Sequence, residues 1–204
     1  MNYDEVKKAF QDDTKDHKME VLHDSGVYRH LKFTNNGSNI FRFDVVTYPG
    51  HLIISGDCGC FVFQRLTDMF EFNNWLSFGY VKEKCIAPDR NSGYEEFDFD
   101  VLKKSVNEYF DYWYDDICDE ISPVVARQMR DDALMAISGV SNTHEAYETL
   151  MNLSIDGNLK NGEEVVFSIE DVSEIPVVDY SWRFIWCCYA IDYAVKEYKK
   201  HKEA

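Results

Sequence analysis

No stretch of this sequence holds the ~20 uninterrupted apolar residues that a membrane span needs. Its opening residues, MNYDEVKKAFQDD, lack the apolar run of a secretory leader. The expectation is a cytosolic protein whose six cysteines stay reduced. None of those cysteines falls in the C-x-x-C pairs of zinc sites: Cys58 and Cys60 form C-x-C, Cys187 and Cys188 are adjacent, and Cys85 and Cys118 stand alone. Buried small hydrophobes are their expected role, with a metal site of Cys58, Cys60 and a histidine such as His51 as the sharper alternative. Catalytic signatures are missing too. GDCG lacks the lysine and hydroxyl residue of a phosphate loop, and there is no G-x-S-x-G elbow or H-E-x-x-H pair. No cofactor is expected.

Positive charge is the other scarcity. Against 37 Asp and Glu stand 21 Lys and Arg, a formal net charge of -16. A potential of that sign repels phosphates, so direct binding of nucleic acid is not expected, whereas a basic protein surface suits it. Solubility alone is the competing explanation.

At 204 residues, with 45% hydrophobic and 15% aromatic content, the chain is expected to form one α+β domain, residues 1–204, sheet-rich over 1–93 and mainly helical over 94–204. Folding a chain of this size buries roughly 70% of its unfolded surface. The central stretch is Phe41 to Phe72. Phe41, Phe43, Val45 and Thr47 alternate with Arg42, Asp44, Val46 and Tyr48, a strand period. Pro49-Gly50 turns the chain into His51–Ser55, and Gly56-Asp57 with Gly59 turns it again into Cys60–Phe63. Upstream, Lys18–Leu22 and Val27–Phe33 flank the Asp24-Ser25-Gly26 turn. Together these predict an antiparallel sheet of about five strands packed against helices from the C-terminal half. Thr67 is read as the cap of a short helical turn, and 73–93 as irregular, closed by Asn91-Ser92-Gly93.

The runs LHDSGVYRHLKF, TYPGHLIISGDCG and FQRLTDMFEF, with Tyr80–Lys84 and FIWCCYA at Phe184–Ala190, resemble a family of proteins encoded by tailed bacteriophages and prophages. The resemblance implies a phage origin and action inside the host cell. It brings no catalytic residue with it.

Helical spacing returns after Gly93. Phe99, Leu102, Val106, Tyr109, Phe110, Trp113 and Ile117 recur at three and four residues, with Asp98 or Asp100 as N-cap. The other side carries Glu108, Asp111, Asp115, Asp116 and Asp119 near the C-terminal end, where the macrodipole already disfavours carboxylates. Folding does not ask for that arrangement. Ser122-Pro123 opens a further helix that Gly139 ends, and Asn142 with Glu145 opens another. Asp156-Gly157 and Asn161-Gly162 bracket a loop before a strand at Glu164–Ile169. The last helix, about Asp179–Lys200, is apolar on most sides, which predicts a place against the sheet.

Two function classes follow. In the favoured one the protein binds a basic host protein of a defence or nucleic-acid-processing machine, its carboxylates over 108–119 imitating a phosphate row and Tyr112 anchoring the contact. The alternative is a protein that binds or hydrolyses a nucleotide-like small molecule in a pocket of His30, His51, Asp57 and Arg65, a histidine serving as base and Arg65 holding an anion. Exposed aromatics also fit a homodimer.

Overall fold

The computed structural model describes residues 1–91 and 93–204; Ser92, in the expected loop closure, lies outside them. In chain order the first elements are α1 (Tyr3–Thr14), β1 (Lys18–Ser25), β2 (Tyr28–Thr34), β3 (Phe43–Tyr48), β4 (His51–Gly56), β5 (Gly59–Gln64), α2 (Phe78–Lys84) and β6 (Cys85–Ala87). Then follow β7 (Glu95–Phe97), α3 (Phe99–Ile117), α4 (Pro123–Ala136), α5 (Thr143–Met151), β8 (Ser154–Asn158), β9 (Glu164–Ser168), β10 (Val178–Tyr180) and α6 (Trp182–Glu203). The fold class is α+β, as expected. The contacts divide the chain into two compact units, residues 1–95 with 180–204, and residues 96–179.

The first unit is built on alternation. β1 to β6 form one sheet in sequence order, each strand antiparallel to the next. Leu31, Val45, Ile54 and Phe61 are cross-strand partners in one row, and all four are fully buried. Phe33 pairs with Phe43 in the next row, their rings stacked 4.6 Å apart. α6 lies on this face, with Trp186 5.7 Å from the Phe43 ring and Phe184 5.6 Å from that of Phe61. Each such side chain contributes about 1.5–3 kcal/mol on burial, which is why the helix that reads apolar on most sides sits here.

Two local expectations are corrected in this unit. The helical turn Met69–Glu71 is capped by Asp68, whose carboxylate accepts the Phe70 N–H at 2.9 Å, and not by Thr67. Residues 73–93 are not irregular throughout. α2 and the three-residue β6 lie within them, and β6 makes the sheet six-stranded.

In the second unit α3 packs on α4, and the β8–β9 hairpin closes the core. Phe167 of β9 meets Phe110 at 4.8 Å and Trp113 at 5.3 Å. Asp156-Gly157, expected as a turn, lies inside β8. The reason is tertiary: Met129 of α4 occupies the space a Cβ at Gly157 would fill, so glycine here permits close packing. Asn161-Gly162 makes the reversal instead, Gly162 taking φ 90°. α4 ends at Ala136 with Ile137 as its C-cap, short of the expected stop at Gly139.

Candidate functional site

α3 starts where Asp98 accepts the N–H groups of Asp100 and Val101 at 2.9 and 3.1 Å. Its apolar stripe, Leu102, Val106 and Phe110, is buried. Steps of three and four residues therefore carry Glu108, Asp111 and Asp115 to the opposite side, with Tyr112 and Asp116 beside them. Asp119 follows in the turn past the helix end. All six are exposed, Tyr112 to 71%.

Two of these carboxylates have partners within the unit. Glu108 pairs with Lys104 at 3.6 Å, one helical turn back, and Asp111 pairs with Arg130 of α4. The Arg130 guanidinium also lies 4.9 Å from the Phe110 ring. Helix periodicity in α3 has no access to that cation, which comes from an element packed alongside. Asp115, Asp116 and Asp119 have no cationic partner for their carboxylates among the described residues. Lys160 comes near but donates to the Asp119 carbonyl oxygen at 2.9 Å, capping the turn instead of neutralising the side chain.

The charge is distributed unevenly between the units. Residues 96–179 hold 20 Asp and Glu against 5 Lys and Arg, a formal -15, while the sheet unit holds 17 against 16, a formal -1. Nearly all of the molecule's net charge of -16 belongs to the unit that carries α3.

The four pocket residues of the alternative do not converge. His30 on β2 bonds Asp44 on β3, Nε2 to Oδ1 at 2.9 Å, and Arg42 donates to the other oxygen of that carboxylate at 3.0 Å. His51 stacks on Tyr48 with ring centroids 4.5 Å apart, its Nδ1 3.1 Å from the Pro49 carbonyl. Asp57 stands at the other end of β4, where Oδ2 accepts the Phe41 N–H at 2.9 Å and so pins a phenylalanine held at φ 52°. The Arg65 side chain is exposed; its backbone N–H bonds the Gly50 carbonyl. Asp44, 7% exposed, is thus the buried acid of this face, and sequence reasoning missed its pairing with His30. Both residues point outward on adjacent strands, but the signal is the register: His30 faces Val46, and Asp44 lies one outward step along. No nucleophilic side chain bonds His30 among the described residues.

The metal alternative fails on register as well. Cys60 pairs with Ser55 and His51 with Gln64, at opposite ends of the same hairpin. Among the described residues no three His, Cys, Asp or Glu come together to hold a metal, and no helix is long and apolar enough to cross a membrane. Cys58, Cys187 and Cys188 are buried as expected, Cys85 is half-buried, and Cys60 and Cys118 are exposed, against expectation. Burial pushes the Cys58 thiol up to about 12, with Asp57 adding to it. No protein-family model, curated protein or solved structure matches the chain.

Proposed function

We propose that this protein is a phage-encoded factor that docks on a positively charged host protein, of a defence or nucleic-acid-processing machine, through the unit of residues 96–179. The observation that carries this reading is the confinement of net charge to that unit, -15 against -1 in the other. Acidity kept only for solubility needs no such partition. The centre of the contact is Asp115, Asp116 and Asp119, exposed and without cationic partners among the described residues. Glu108 and Asp111 flank them and exchange their internal partners, Lys104 and Arg130, for those of the host protein. Tyr112, 71% exposed, supplies a ring to bury at the centre. Carboxylates gathered at a helix C-terminus oppose the macrodipole by about 0.3–1 kcal/mol each, a cost that docking against a cationic surface recovers.

The test is affinity capture from a lysate of the bacterial host with the full chain as bait. A basic protein is retained, released as salt shortens the screening length below ~8 Å, and lost with the D115N/D116N/D119N variant. Retention of the same proteins by that variant refutes the reading.

A further inference from the structure

Two clefts of the sheet unit, of about 440 and 500 Å³, meet along the outer side of α6 and share Leu76, Asp192 and Lys196. The first runs between α1 and α6. Its wall is aromatic: Phe10 lies near-parallel to Tyr189 at 6.3 Å and edge-on to Tyr193 at 5.8 Å. Leu76, 43% exposed, forms the saddle between the two. Lys7 and Lys15 stand at the rim, and neither has a carboxylate partner among the described residues, although Asp and Glu outnumber Lys and Arg in the chain. The cleft's one carboxylate, Asp192, is already paired with Lys196 at 2.7 Å. In the adjoining cleft Lys199 is 4.0 Å from Glu71, and the side-chain amides of Asn73 and Asn74 bond no protein group among the described residues. Trp75, 2% exposed, lines this second cleft and buries its indole N–H without an acceptor.

Flat aromatic walls, unpaired cations and free amides each answer one part of a nucleotide. Rings stack a base, lysines hold a phosphate, and amides read the edges of a base or sugar. The sheet unit is close to charge balance, 17 acidic to 16 basic residues.

We propose that the joined clefts along α6 bind a mononucleotide, its base against the half-exposed rings of Tyr189 and Tyr193, which Phe10 backs from the core, and its phosphate on Lys7 and Lys15. This site is independent of the acidic surface, and neither proposal falls with the other. Titration of the full chain with adenosine and guanosine monophosphate, with inorganic phosphate as control, tests it. At a hundredfold excess over Kd the nucleotide raises Tm by roughly 5 °C or more. The K7Q/K15Q variant keeps the Tm of the free protein and weakens binding by roughly tenfold or more, while D115N/D116N/D119N binds as the parent does. Absence of binding at millimolar nucleotide, undiminished binding by K7Q/K15Q, or equal affinity for inorganic phosphate each overturns the proposal.

Discussion

Arg29 is the side chain whose environment is most demanding. It is 8% exposed, donates two hydrogen bonds of 2.8 Å to Asp68, and lies over the rings of Phe70 and Tyr198 at 4.7 and 5.2 Å. The guanidinium holds the Asp68 carboxyl below the usual carboxylate range. A depressed folded-state pKa gives stability that is fully present above the unfolded value, near 3.8, and lost as pH falls through the folded one. Asp68→Asn leaves Arg29 buried without its counter-ion, so urea unfolding at neutral pH should show a loss of about 3 kcal/mol. Below pH ~4 the variant's stability should fall less steeply than the parent's. Arg29 alternates onto the same buried face of β2 as Leu31 and Phe33, and an arginine in an inward row has to find a buried acid. What the sequence withholds is which acid, because Asp68 is 39 residues away. Arg65 and Asp57 look equally able to make such a pair and do not.

Cysteine reactivity is decided at this scale too. Burial raises the thiols of Cys187 and Cys188 well above their ordinary value, Cys58 up to about 12 and Cys85 up to about 11. Thiolate is the reactive form. Timed alkylation of the native protein read by mass spectrometry should therefore label exposed Cys118 first and leave Cys58, Cys187 and Cys188 unmodified until the protein unfolds. Early modification of the Cys187-Cys188 pair contradicts the packing of α6 described above.

Among the elements, those with local start signals are the ones legible in advance. Asp98, Ser122 and Asn142 cap α3, α4 and α5 as their sequences suggest, because a cap hydrogen bond spans only two or three residues. β6 and α2 are illegible for the opposite reason: a strand of three residues carries no period, and its order comes from pairing with β5. β8 hides its strand character behind Asp156-Gly157, where the tertiary contact with Met129 overrides turn chemistry. The start of α6 shows how much one cap can hold. Ser181 is fully buried, accepts the Phe184 N–H at 3.2 Å and donates to the Gly93 carbonyl at 3.3 Å. Ser181→Ala removes both bonds inside the core, and chemical denaturation should register a loss of about 1–2 kcal/mol with unchanged helical circular dichroism. A loss below the error of the measurement means that α6 is positioned by its aromatic packing alone.

At this largest scale each unit has its own hydrophobic core, but the net charge is divided unevenly between them. The sheet unit holds the aromatic stack around Trp186 and is close to neutral. Residues 96–179 hold almost all of the net charge. The total of -16 is plain from composition, but its confinement is not, because α6 returns to the sheet unit from the far end of the chain. The acidic face of α3 is legible as a helical pattern, whereas its partial pairing through Arg130 depends on how α4 packs.

A charge-matched comparison isolates the placement of those carboxylates from their number. The affinity of the captured host protein for D115N/D116N/D119N is measured across a salt series beside a D12N/E20Q/E203Q variant, which removes the same charge from exposed positions of the sheet unit. The first variant should lose roughly tenfold or more in affinity and much of its salt dependence, while the second binds as the parent does. Equal losses in both variants would contradict a contact centred on Asp115, Asp116 and Asp119.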